Sequence, residues 1–194
     1  MDIIGLDRIA VLESVRVVGS AGPGDWDRPT PCDGWTLRLL VEHMGAQHLG
    51  FAAAARGEGA DAAAWAHRAA GDDPAAWYRE TARTVLDAFA APGASERRFA
   101  LPEIGTGTTF PGVVAMGFHF IDYVVHSWDA AATLGLSLAL PDEVVEAALP
   151  LALRVPDGPV REGPGAAFRP ALPVTDGGPL PRVLAALGRS PDWR

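Results

Sequence analysis

Asp122 and His126 lie four positions apart in the segment Phe120-Ile121-Asp122-Tyr123-Val124-Val125-His126-Ser127-Trp128-Asp129. If that segment is helical, residues at this spacing stand one above the other on one face, with Cβ atoms about 5 to 6 Å apart. A carboxylate and an imidazole so placed can share one divalent cation, because both ligand types hold zinc at roughly 2.0 to 2.2 Å. Two ligands do not make a site. The best third is His43, the histidine of another apolar, helix-like stretch upstream. If the two helices face each other, the set supplies two nitrogens and one oxygen and leaves a position open for water or substrate. That is the plan of a catalytic rather than a structural metal centre. The plainer alternative is that His43 is a core histidine with a nearby hydrogen-bond partner, and that Asp122 and His126 form only an i,i+4 pair.

The remaining reactive side chains read less sharply. His119, three residues before Asp122, is a candidate fourth ligand or outer partner, against the plainer reading of a histidine at the helix surface or bundle edge. His48 follows His43 by five residues, an awkward angle for sharing a metal. Asp129 follows His126 by three and is placed either to orient an imidazole, as carboxylates behind metal-bound histidines do, or to be solvated. His67 has no companion in the sequence around it. Cys32 is the one cysteine, so an intrachain disulfide and a thiolate cage are both excluded. It reads as a partly buried loop residue, available at most as one member of a histidine–carboxylate set. Trp26, Trp35 and Trp128 read as packing residues. Gly105-Thr106-Gly107 matches only the opening of a dinucleotide fingerprint and follows no strand, and no Ser, His and Asp set stands in a context that signals hydrolase chemistry.

The elements that must position these groups are helical. Ile4, Val11, Val15 and Val18 repeat at helical spacing and predict a first helix stopped by Gly19. Ser20 to Gly34 is turn chemistry around Trp26 and Cys32. Thr36 predicts the N-cap of a second helix, with Leu37, Leu40, Val41, Met44 and Phe51 as its apolar stripe, ending at Arg56-Gly57. The alanine-rich stretch from Glu58 to Asp72 is compatible with a short helix, a lid or neither. Asp73-Pro74 starts a third helix whose Tyr78, Ala82, Val85 and Phe89 share a face, up to Pro92-Gly93. After an irregular connection, Phe110 to Gly135 reads as one long helix with Pro111 in its first turn. A shorter helix is expected from Pro141 to about Leu153. A stretch dense in proline and glycine follows, then a last helical piece from about Pro179 to Leu187 closed by Gly188. The tail is expected to pack as a strap through Phe168, Leu172, Leu184 and Trp193. Four helices of bundle length without convincing alternating strands predict an all-α bundle at 1–153 with a C-terminal extension at 154–194.

A chain of 194 residues that is 48% hydrophobic can bury a sizeable core. Its formal charge of −8 argues against nucleic acid as a partner, since phosphate binding needs a cationic excess. No run approaches the length needed to span a bilayer, and the first residues lack the features of a secretory signal, so a cytoplasmic location is expected. Apolar helix faces leave room for a homodimer.

The sequence resembles the DinB-like superfamily, in its actinobacterial branch related to mycothiol-dependent maleylpyruvate isomerase. The resemblance rests on Trp26-Asp27-Arg28-Pro29-Thr30-Pro31-Cys32-Asp33-Gly34-Trp35-Thr36 leading to His43, on Asp122 to Asp129, and on Arg182-Val183-Leu184-Ala185-Ala186-Leu187-Gly188-Arg189. It implies a DinB-like four-helix bundle holding a divalent metal, commonly zinc or nickel, on positions that fall here on His43, Asp122 and His126. It also implies a thiol-dependent, mycothiol-type transferase or isomerase, with a small-molecule thiol and an electrophilic substrate as partners. The alternative is a non-catalytic, metal-stabilised bundle that acts as an interaction module. Two departures stand out. Leu39 occupies a position where relatives commonly carry an acid, which removes a capping box. The isomerase also has a larger C-terminal α/β domain contributing to its thiol site, whereas only a short tail follows Leu153 here.

Overall fold

The structure is a computed structural model that describes every residue except 106, 164–165, 174–176 and 194. Local chemistry sets the helix ends. Asp2 accepts from the Gly5 amide at 2.8 Å and starts α1, Ile3–Val18. Thr36 Oγ1 accepts from the Leu39 amide at 3.3 Å and starts α2, Leu37–Arg56, which Gly57 ends in the left-handed region. Asp73 accepts from the Ala76 amide at 2.9 Å and, with Pro74 in the first turn, starts α3, Pro74–Ala90.

Two short strands then pair antiparallel, β1 at Arg98–Ala100 and β2 at Thr109–Pro111, with Phe99 opposite Phe110. The sequence predicts irregular chain here, and three residues per strand are too few for alternation to register. Because Phe110 and Pro111 belong to β2, the long helix α4 runs Gly112–Leu134 rather than from Phe110, with Gly135 closing it at φ 68°. It is followed by α5, Asp142–Ala152, and α6, Pro179–Ala186. Among the described residues no helix is long and apolar enough to cross a membrane.

Helices α1 to α4 form the bundle. α1 packs on α4 and α3, and α2 packs on α3 and α4, so α1 and α2 are diagonal. One core cluster runs through Leu6, Val11, Leu40, Met44, Tyr123 and Val124, and takes in Val144 and Ala148 of α5 and Val183, Leu184 and Leu187 at α6. The extension is thus tied into the main core. Arg161, buried in it, donates to the carbonyls of Pro156, Val155 and Ala186 at 2.7, 2.8 and 2.6 Å. Of the expected strap contacts, Leu184 is buried and Phe168 packs at the core edge, while Leu172 stays 41% exposed and is held by its amide to the Ala185 carbonyl. A second cluster at the far end of the bundle gathers Phe51, Trp65, Val85, Phe89, Phe99 and Met116.

The alanine-rich stretch adopts a single 3-10 turn at Ala62–Ala64. Trp65 beyond it lies over Gly50, where a Cβ would fall 2.3 Å from the indole, and donates from Nε1 to the Gly59 carbonyl at 2.8 Å. Only glycine allows the plug to seat this closely.

Candidate functional site

His43 projects from α2, and Asp122 and His126 project from α4, one turn apart. The structure brings one ligand atom from each within 4.8 Å of the others. His126 Nε2 lies 3.4 Å from Asp122 Oδ1, and the His43 and His126 rings meet edge to face with centroids 5.5 Å apart. Trp35, from the loop before α2, packs edge-on against His43 at 4.9 Å.

A second set of groups stands behind His126. Its Nδ1 donates to Asp129 Oδ2 at 2.9 Å, which fixes the ring and points Nε2 at Asp122. Asp129 is fully buried, and Arg189, just past α6, donates to it from Nε at 2.9 Å and Nη2 at 3.1 Å. The Cys32 thiol donates to Asp129 at 3.2 Å and accepts from Arg189 at the same distance. Cys32, His126 and Asp129 form a second metal-competent triplet by distance, but the guanidinium of Arg189 already supplies the positive charge there.

The electrostatics divide the two imidazoles. Burial, reinforced by His126, pushes His43 down to about 4, so it is neutral at pH 7 with a lone pair to offer. Burial also disfavours charge on His126, yet Asp122, Asp129 and Cys32 outweigh it and hold the ring well above the ordinary imidazole value. Asp129 is opposed by burial but kept low by His126 and Arg189. His126 therefore carries a proton on Nε2, directed at Asp122. A divalent cation would take that proton's place, so the donor set fits a metal held by His43, Asp122 and His126.

His43, alone of the three, lines a cleft of about 390 Å³ whose walls include Trp35, Gln47, Trp65, His67 and Glu103. Gln47 donates to Glu103 at 2.8 Å, and His67 meets Glu42 at 2.9 Å. His67 thus has a companion that its sequence neighbourhood does not reveal.

Two histidines lie elsewhere. His119 is neither at a surface nor a fourth member of the triad: it is fully buried, bonded through Nδ1 to Asp7 of α1 at 2.6 Å and through Nε2 to His48 of α2 at 3.2 Å. Tyr123 stacks on both rings. This Asp7–His119–His48 chain and the Arg189 clamp are what sequence reasoning missed. The only hint of the clamp is the Leu187-Gly188-Arg189 ending of the last helical motif.

The sequence profile described as mycothiol maleylpyruvate isomerase N-terminal domain matches residues 8–131, well over half the chain. The chain belongs to that family. The chain is 34% identical over 190 residues to the uncharacterized proteins MT0763 and Rv0738 of Mycobacterium tuberculosis, strains CDC 1551 / Oshkosh and H37Rv, covering 93% of this chain and 91% of each relative. Its fold is that of the crystal structure of the mycothiol-dependent maleylpyruvate isomerase, with a TM-score of 0.64 at 14% identity over 98% of this chain and 89% of that one. A histidine-to-alanine variant of the isomerase aligns with a TM-score of 0.57 at 10% identity, over 78% of this chain and 66% of that chain. Identities this low speak for the fold, the DinB-like bundle that the sequence motifs imply.

Proposed function

We propose that this family member is a divalent-metal-dependent enzyme that directs a low-molecular-weight thiol of the mycothiol type at an electrophile, as a transferase or isomerase acting in the cytoplasm. The observation that carries this reading is the convergence of His43, Asp122 and His126, with His43 itself lining an open cleft, which suits a site with a vacancy for a reactant better than a closed structural site. When bound, zinc or nickel supplies Lewis acidity that favours the thiolate over the thiol at neutral pH.

The chain's own residues do the rest. His43, kept neutral by burial, offers an electron pair without losing a proton, and Asp122 offers a carboxylate oxygen. His126 is aimed by Asp129, and Asp129 is in turn fixed by Arg189. Cys32 closes the cluster from the loop side. Trp35 and Trp65 wall the cleft and limit water around the reacting sulfur. Names of relatives supply the thiol class, and the cleft supplies room for its electrophilic partner.

Elemental analysis of protein purified without a histidine tag should find close to one zinc or nickel per chain. The loaded protein should accelerate conjugation of mycothiol to an electrophile, and His126→Ala should lose both metal and rate. Unchanged turnover in that variant would overturn the mechanism. Metal binding with a large stabilisation but no thiol chemistry would favour the non-catalytic alternative.

A further inference from the structure

The protein contains no lysine, so its permanently charged cationic side chains are arginines, and none of these is among the described residues that line the cleft above His43. Arg38 and Arg68, next in sequence to the lining residues Leu39 and His67, donate instead to the carbonyls of Gly71 and Ala63 at 3.0 and 3.1 Å. Arg189 directs its donors to Asp129, Cys32 and the Leu187 carbonyl. The one carboxylate in the wall is Glu103, and the buried amide of Gln47 fixes its orientation at 2.8 Å.

Proteins that take dicarboxylates generally present forked guanidinium groups to them. This cleft presents one carboxylate, two indoles and the imidazoles of His43 and His67, the latter turned to Glu42 at 2.9 Å. The geometry points to Glu103, held by Gln47, as a charge filter: the electrophile admitted is uncharged and brings amide- or hydroxyl-type donors, while dicarboxylates, maleylpyruvate among them, are turned away. The inference rests on the thiol-directed reading above and narrows its substrate class. The chemistry requires no carboxylate on the electrophile. The thiolate sulfur forms a bond to the β-carbon of an activated alkene, the π electron pair moves to the α-carbon, and the proton surrendered by the thiol is returned there through solvent. An amide or ester carbonyl activates the alkene as a carboxyl group does, and an amide N–H can donate to Glu103.

The test is a series on one carbon skeleton, the diamide, monoamide and dianion of maleic acid, given to the zinc-loaded protein. Binding is read by quenching of tryptophan fluorescence, and turnover by consumption of N-acetylcysteine. Affinity should fall roughly tenfold with each negative charge, the size expected for like charges about 6 Å apart at an effective dielectric constant of about 40. Glu103→Gln should restore roughly a hundredfold to the dianion and roughly tenfold to the monoamide, change the diamide less than about twofold and leave the zinc content unaltered, and Glu103→Lys should reverse the order. Maleate binding as tightly as the diamide, an equal shift of both ligands in Glu103→Gln, or no binding of either overturns the filter. The predicted order of affinities without thiol consumption supports the filter and counts against the reaction instead.

Discussion

At the scale of single residues, the site is a chain of dependence that runs Arg189 to Asp129 to His126. Carboxylates behind metal-bound histidines are commonly worth 10- to 100-fold in affinity. Asp129→Asn, which keeps the shape and removes the charge, should therefore weaken zinc binding by about that factor in competition with a chromophoric chelator. The two imidazoles also set the pH dependence. His43, pushed down to about 4, gives up no proton on binding metal near neutrality, whereas His126, held high by Asp122 and Asp129, must lose one. Zinc uptake should thus release about one proton, and the logarithm of affinity should climb by about one per pH unit between pH 5 and 7. The sign follows from competition, because acid favours the His126 imidazolium over the metal complex. Affinity that is flat over this range would show that His126 is not a ligand.

At the scale of elements, the helices were legible and their cross-links were not. Thr36, Asp73-Pro74 and Gly188 announce helix ends through backbone chemistry that acts within four residues, and apolar spacing announces which faces turn inward. The spacing of Asp122 and His126 is local in the same way. His43 could be matched to them only by supposing that two helices face each other. The hidden parts are all long-range: Asp7 to His119 spans 112 positions, Cys32 to Asp129 spans 97, and Arg189 to Asp129 spans 60. No periodicity records such partners. The β1–β2 pair was hidden for another reason, being too short to show a period. Trp65 seated on Gly50 gives this scale its prediction. Gly50→Ala places a Cβ 2.3 Å from the indole, so the plug must shift or the helices part. Overpacking of this kind costs about 1 to 3 kcal/mol, or roughly 2 to 12 °C in melting temperature for a chain of this size, measurable by calorimetry alongside a changed Trp65 fluorescence.

At the scale of the whole molecule, the division into a bundle at 1–153 and an extension at 154–194 is one of chain order, and we infer that the bundle depends on the extension. Val183, Leu184 and Leu187 share a core cluster with Val144 and Ala148, and Arg189 neutralises a carboxylate inside the bundle. A chain truncated after Leu153 should expose that apolar surface and strand a buried charge, which is costly without a partner. The expected result is loss of zinc binding and of a cooperative melting transition; a truncated chain that still melts cooperatively and binds zinc would refute the dependence. Stripping the metal from the intact chain should be milder. A ligand held at 100 times its Kd contributes about 2.7 kcal/mol, so chelation should lower the melting temperature by roughly 5 to 11 °C. The placement of Arg189 also has a consequence in time. All three candidate ligands, and Asp129 with them, are synthesised at least 60 residues before the guanidinium that steadies them. A nascent bundle can gather its donors early, but it cannot hold His126 in register until α6 and Arg189 have been translated and have docked, which puts metal loading after that step rather than before it.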